Sequence, residues 1–428
     1  MFQVFRNAWK IEELRKKILF TLFMILLYRI GNAVPVPYID TELLKSYFAT
    51  LQNTVLGLYN TMSGNAFSTA TIFALSIQPY INASIIINLL CIAIPALERL
   101  QKEGGEEGRK KIASITRYST IGIGLIQGFA YFLLIKNNGI LVEGAAVWQG
   151  IVIVASFCAG ASLLMWMGEQ ISEFGIGNGI SMILFASIIS RLPSGAANLV
   201  TNAIAGSLSW FAFIAIIIGV VLIVVCIVFV SKAERRIPIQ YSKRVVGRKL
   251  YGGQSTHLPM KVNMSGVMPV IFAQSIASLP ATIAAFFPAP KAGSFWAGFL
   301  SAIDPTSVLY MVIYFLLILA FSYFYATIQF NPVEIANNLK KNGGFIPGFR
   351  AGRPTSDFIA KVLNRITLFG AIYLGIVAVL PIIFSSATNF AGIYLGGTSI
   401  IIAVGVALEI VQNLETQMMM RHYKGFLE

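Results

Sequence analysis

TIFALSIQPYINASIIINLLCIAI, residues 71–94, is long and apolar enough to cross a bilayer, yet it contains Pro79 and carries Asn82, Ser84 and Asn88 along its length. Two amides and a hydroxyl suit a helix face turned toward protein or water rather than lipid, and a proline within a span needs neighbours to satisfy the backbone it frees. Outward from this run the whole chain is apolar: 428 residues, 56% hydrophobic and 12% charged, with a mean hydropathy of +0.74. That composition excludes an ordinary soluble domain. Runs of roughly 17 to 25 apolar residues, the length a bilayer demands, occur at 18–34, 72–95, 118–135, 147–168, 179–192, 208–230, 266–287, 306–328, 367–384 and 398–414. The fifth is short. The expected fold is an all-α polytopic membrane protein of ten transmembrane helices.

An even number of spans puts both ends on one side, and the basic residues say which. Counted between spans, 5 Lys/Arg precede the first, 6 lie in 96–117, 8 in 231–265, 6 in 329–366 and 2 follow residue 414; Arg29, Lys45, Lys136, Arg191 and Lys291 make up the rest of the 32. The asymmetry predicts cytoplasmic termini. The N-terminal MFQVFRNAWKIEELRKK reads as a mixed-charge amphipathic stretch with no small-residue cleavage site after it, so no removable signal peptide is expected. Five spans on either side of a loop at 193–207 divide the chain into halves, 1–192 and 208–428. Two halves with an odd number of spans each must run in opposite directions, which predicts an inverted repeat.

Between the first two spans the polar segment 37–73 ends in a Gly/Ser/Thr-rich piece. It reads either as a half-helix that re-enters the membrane from outside or as a surface loop; the first is tolerable only against protein or a wet cavity. The loops 231–265 and 329–366 are basic and poor in acids, and hold turn signals at Gly252-Gly253, Gly343-Gly344 and Pro347-Gly348. They are expected to project as ordered hairpins, side by side. A basic platform of this kind fits RNA phosphates, an acidic protein surface or anionic lipid headgroups.

Several features point away from catalysis and ion coupling. GIGNG at 175–179 lacks the lysine and strand context of a phosphate loop and reads as a turn between spans. Cys91, Cys158 and Cys226 sit at unrelated spacings in apolar runs, and His257 and His422 are far apart, so no disulfide framework or metal site is indicated. Within the spans only Arg29, Arg191 and Glu409 are charged, all toward span ends, and no proton relay is visible. Gly124 and Gly128 fit close helix packing.

Six blocks, in order, carry a resemblance. They are YRIGNAVPVPYID (28–40), IFALSIQPYINASIIINLL (72–90), EFGIGNGISMILFASII (173–189), GGQSTHLPMKVNMSGVMPVIFAQSI (252–276), NPVEIANNLKKNGGFIPGFRAGRPT (331–355) and GGTSIIIAVGVALE (396–409). Together they closely resemble the SecY/Sec61-alpha family of protein-conducting channels, over essentially the whole chain. The resemblance implies two inverted five-helix halves around a central hourglass pore, with a plug and a lateral gate. It assigns a pore ring to Ile81, Ile85, Leu184, Ile188, Ile271 and Ile402, and a plug to about 59–73 with Ser63, Gly64, Ala66, Phe67 and Ser68. It assigns a gate seam to Pro79, Asn82, Asn88, Gln274, Ser275 and Leu279. Docking for the SecA motor ATPase and the ribosome is implied at Arg235, Arg236, Lys243, Arg244, Arg248, Lys249 and Arg350. Leu184 stands where isoleucine is more usual, Asn88 where glutamine is commoner and Leu279 where phenylalanine is frequent. The implied role is a passive channel of the bacterial cytoplasmic membrane, without cofactor or catalysis, partnered by SecE and SecG and passing secretory and membrane proteins across or into the lipid. The alternative from a different class is a small-molecule secondary transporter, which also uses inverted repeats and broken helices. A transporter requires a polar site at mid-membrane; the channel requires an apolar waist.

Overall fold

The computed structural model describes residues 2–50, 55–102, 104–142, 147–206, 209–241, 244–246, 249–251, 255–284, 295–302, 304, 307–388 and 397–424. The chain opens with α1 (Phe2–Lys10), α2 (Glu12–Gly31), α3 (Thr41–Thr50), α4 (Val55–Met62), α5 (Gln78–Ala93), α6 (Pro95–Lys102), α7 (Gly105–Asn137), α8 (Val147–Phe174) and α9 (Gly179–Ile204). The second part holds α10 (Trp210–Lys232), the strands β1 (Glu234–Tyr241), β2 (Arg244–Val246), β3 (Lys249–Tyr251) and β4 (Ser255–Lys261), then α11 (Met268–Ala284), α12 (Phe295–Ala302) and α13 (Val308–Gln329). It ends with α14 (Pro332–Lys341), β5 (Gly344–Phe345), α15 (Arg353–Thr388) and α16 (Gly397–Lys424). Each of the ten apolar runs falls on one of these helices. Among the described residues seven helices are by themselves long and apolar enough to cross a membrane, eight if α5 and α6 form one bent span.

Four expectations need correction. Pro79 does not interrupt a helix, because α5 begins at Gln78 and the proline occupies its first turn. There its missing N–H would have had no partner anyway. The break in the run lies instead at its far end, where α6 turns 105° away from α5. The fifth span is not short: α9 continues through Pro193 to Ile204. Most of the segment expected as a loop over 193–207 is therefore helix. Hydropathy falls after Leu192 because SGAANLVTN is small and polar, but none of these residues opposes a helix strongly enough to stop one.

Lipid is as apolar as leucine, so helices associate by close contact rather than by escaping water. The packing order repeats. In the first half α5 lies on α7, α7 on α8 and α8 on α9; in the second α11 lies on α13, α13 on α15 and α15 on α16. Small residues open the contacts: a Cβ on Gly128 would meet the Phe157 side chain at 3.5 Å, and one on Gly160 would sit 1.9 Å from the Ile72 carbonyl oxygen. The halves touch along two lines, where α5 and α4 meet α11, and where α16 packs on α1 and α9.

The two basic loops are one unit rather than two hairpins. β1 pairs antiparallel with β4 from Glu234↔Lys261 to Gln240↔Ser255. On its other edge β1 takes the short β5, Gln240↔Phe345 and Tyr241↔Gly344. The second loop supplies α14 and that strand, so the expected second hairpin is a helix and an edge strand. Alternation along β1 turns Ile237 and Ile239 inward onto Met260, Leu339, Ile346, Ile359 and Leu363. These apolar positions give the loops a small core of their own. β2 and β3 pair beyond it, from Arg244↔Tyr251 to Val246↔Lys249.

Candidate functional site

Four helices from the two halves contribute six aliphatic side chains to one large buried apolar cluster. Ile81 and Ile85 are one turn apart on α5, as are Leu184 and Ile188 on α9; α11 contributes Ile271 and α16 Ile402. None is more than 3% exposed. That cluster also takes in Met62, Met182 and Tyr28. Side chains of this kind form a soft collar that yields to a passing chain and opposes a continuous file of water.

Met62 ends α4, which packs on α9 of the first half and α11 of the second. Of the expected plug, about 59–73, only the start is helical, where it shares the end of α4 (Val55–Met62); residues 63–70 form turns. The expectation of a half-helix across about 57–71 is thus met only at its start. The small residues serve a different purpose, since Gly64, Asn65, Ala70 and Ser76 all take positive φ, at 66°, 73°, 44° and 51°. Three non-glycine residues in that conformation within fifteen positions are held there by their surroundings. A Cβ on Gly64 would come within 3.2 Å of Ser190 Oγ and 3.3 Å of the Ser187 carbonyl.

Buried irregular backbone needs partners, and side chains supply them. Ser63 Oγ accepts from the Phe67 N–H at 3.1 Å and Asn60 Oδ1 from the Ser68 N–H at 2.9 Å. The Tyr28 hydroxyl donates to the Ser63 carbonyl at 3.3 Å and lies 2.5 Å from Ser187 Oγ. The Tyr131 hydroxyl donates to the Phe67 carbonyl. Phe67 itself stacks on Tyr131 at 4.2 Å between ring centres and meets Phe48 edge-on at 5.2 Å. Beyond it, Val36 N–H donates to Ala70 O at 2.9 Å and Ile72 N–H to Val34 O at 3.0 Å. Ser63, Ala66 and Phe67 are buried, Gly64 and Ser68 half-buried. Tyr28 and Tyr131 were not legible as plug contacts, because nothing in an apolar run marks which tyrosine meets a distant carbonyl.

At the contact of α5 with α11 one expected residue reaches across: Ser275 Oγ lies 3.3 Å from Gln78 Oε1. Gln78 was missed, although an amide beside a proline in an apolar run was a visible signal. Gln274 turns within its own half and donates to the Tyr310 hydroxyl at 3.3 Å. Among the described residues Asn88 reaches Ser84 on its own helix, at 3.5 Å. Asn82 is buried, and its Nδ2 has no hydrogen-bond partner among the described residues. Pro79 is buried and Leu279 half-buried.

On the basic platform Arg235, Arg236 and Arg350 are exposed, with Arg236 paired to Glu234 at 2.6 Å. Arg244 and Lys249 start β2 and β3. Lys243 and Arg248 lie outside the described residues. Arg350 sits in a turn bounded by Gly348 and Gly352, whose φ values of 89° and 107° favour glycine. Phe349 packs on Phe358 at 4.3 Å, and Thr355 Oγ1 donates to the Arg350 carbonyl at 2.8 Å. At the foot of β4 a cavity of about 280 Å³ is lined by Glu409, Asn263, Lys261 and Gln412 among others. Lys261 donates to Gln412 Oε1 there at 2.6 Å. Glu409 therefore lies beside the platform and seven residues, two turns, along α16 from Ile402. The GIGNG turn caps α9: Asn178 Oδ1 accepts from the Ile180 and Ser181 N–H groups.

A multi-pass helical bundle in two halves, meeting at an aliphatic collar beside an irregular buried segment, is the architecture of a membrane channel. The SecY family model matches residues 71–411. The protein translocase subunit SecY of Thermotoga maritima is 42% identical over 437 residues, covering 100% of this chain and 98% of its own. That of Mycobacterium bovis is 41% identical over 447 residues, with 100% of both chains covered. Among solved structures, a protein-conducting channel superposes with a TM-score of 0.66 at 17% identity, over 94% of this chain and 92% of that one. Sec61 in the canine ribosome-channel complex gives 0.61 at 16% identity over 94% and 92%. The chain belongs to the SecY family.

Proposed function

We propose that this chain is the protein-conducting channel of a bacterial cytoplasmic membrane, passing unfolded secretory polypeptides across the lipid and releasing membrane segments sideways into it. The carrying observation is the collar, the buried apolar cluster to which both halves contribute Ile81, Ile85, Leu184, Ile188, Ile271 and Ile402. In this reading they are the pore ring, and the segment 59–73 is the plug that seats Met62 beside them. The contact of α5 with α11 is the lateral gate. Gln78 joins Ser275 there, while Gln274 and Asn88 are bonded within their own halves.

The platform of β1, β4, β5 and α14 serves as the docking surface for SecA and the ribosome, with Arg235, Arg236 and Arg350 on its exposed face and Arg244 and Lys249 on the strands beyond. Ribosome-bound relatives support this assignment: the similar structures include the canine Sec61 ribosome-channel complex and the yeast Ssh1 complex bound to the yeast 80S ribosome. The excess of basic residues in these segments supports a cytoplasmic side for the platform and both termini. SecE and SecG complete the assembly. The energy for transport comes from the motor or the translating ribosome, and the chain contributes a path rather than a reaction.

A small-molecule transporter would need ligand groups at the waist, and the collar offers only aliphatic side chains. The deciding experiment reconstitutes the chain with its companion membrane subunits and supplies SecA, ATP and a precursor protein. Protected precursor inside the vesicles is the expected result. Accumulation of a small solute along a gradient, with no protected precursor, overturns the reading.

A further inference from the structure

Gln78 occupies a position that no apolar side chain could fill in the same way. It is 1% exposed, and its neighbours Ser275 and Met62 are 0% and 7% exposed. Its carboxamide has two ends, and each meets a different moving part. Oε1 faces Ser275 Oγ at 3.3 Å, across the contact between the halves. Nε2 donates to the thioether sulfur of Met62 at 3.2 Å, and Met62 is the last residue of α4, against the collar. Two residues earlier Ser76 Oγ donates to the Met62 carbonyl at 3.5 Å. Met62 is thus held by its backbone and by its side chain from the start of α5.

The chemistry makes the two ends interdependent. The Ser275 hydroxyl also lies 3.0 Å from the Ile271 carbonyl, so its single hydrogen is shared between its own helix and the amide. A shared hydrogen and a sulfur acceptor are both weak bonds. The surroundings are apolar, where a carboxamide left without a partner carries the full cost of desolvation. When α11 moves away, Gln78 Oε1 loses its donor. The amide then turns toward water entering the parted contact, and the same rotation carries Nε2 off the Met62 sulfur.

We infer that Gln78 is a positioning residue that couples the lateral contact to the plug: one amide registers the closure of α5 on α11 and seats Met62, so that parting the first releases the second. The inference rests on the channel reading above and adds a named coupling element to it. Glutamine suits the role because it is long enough to bridge both partners and carries an acceptor at one end and a donor at the other.

The test is a double-mutant cycle in the reconstituted channel with its companion subunits, using Ser275→Ala, Met62→Leu, Gln78→Leu and the Ser275→Ala/Met62→Leu pair. Two readouts are taken from each: ion leak through the resting channel, which reports the plug, and SecA-driven export of a precursor with a defective signal sequence, which reports the lateral contact. Ser275→Ala and Met62→Leu keep size and shape, so they keep the test alive if Gln78→Leu fails to assemble. The expected result is that each single variant raises both readouts by roughly fivefold, the population shift one modest hydrogen bond supplies, and that the pair is no worse than either single variant. The inference is overturned if Ser275→Ala moves only export, Met62→Leu moves only leak, and the effects multiply in the pair. A wild-type channel that carries a normal precursor shows that such a failure belongs to Gln78 alone; one that carries none overturns the channel reading and this inference with it.

Discussion

The two lines along which the halves meet are built from different chemistry. Where α16 crosses back onto the first half, Leu414 is buried with Ala8, Leu14, Ile18 and Ile176, and Lys17 reaches Gln417 at 3.4 Å. Where α11 meets α5, apolar contact is supplemented by one long hydrogen bond, Ser275 to Gln78, and by an amide, Asn82 Nδ2, that finds no partner among the described residues. The first line interlocks side chains from three helices and the turn before α9. The second has little to lose on separation, because an unsatisfied buried donor raises the energy of the closed state and is relieved once water reaches it. In the proposed channel this inequality would let one edge hold while the other parts.

Breaking the holding edge has the largest expected effect. Leu414→Ala leaves a cavity under α1 and α2, and roughly 3 kcal/mol of stability should be lost, as for a fully buried leucine; thermal unfolding of the solubilised complex measures it, and an unchanged midpoint would mean that this contact of α16 does not hold the halves together. The collar comes next. Ile402→Asn places a carboxamide among aliphatic side chains and should weaken the closed state by about tenfold in population, read as export of precursors with defective signal sequences. Normal stringency in that variant argues against the ring assignment. The smallest change sharpens the parting edge. Asn82→Leu removes the unpaired amide and should favour closure by about 1 kcal/mol, slowing export of weak signals while leaving strong ones nearly untouched. Faster export from this variant would mean that Asn82 supports the closed state after all.

Much of this molecule was legible from residue order alone, and the parts that were not share a cause. The ten apolar runs and the basic segments between them showed up, because a span is a sum of about twenty local preferences that no single neighbour can reverse. The six collar positions came only from the resemblance of whole blocks, since a single isoleucine in a span is no different from its neighbours. Pro79 was legible as a disturbance but not as a helix start. Hydropathy ended the fifth span at Leu192, whereas α9 runs on through Pro193 to Ile204. In the segment 63–70 the small residues fitted a short helix equally well as a series of left-handed turns, and part of what holds the turns, the Tyr28 and Tyr131 hydroxyls, comes from other helices.

From its sequence, then, the protein acquired its membrane residence and its basic, cytoplasm-type loops, since each follows from composition within a short window. Tertiary structure decided which amide crosses between the halves, that β5 joins the two basic loops into one sheet, and that carbonyls at Ser63 and Phe67 are capped by tyrosine hydroxyls. Those outcomes depend on how far each helix is rotated about its own axis. Rotation is set by contacts between residues remote in sequence, and no local preference encodes it.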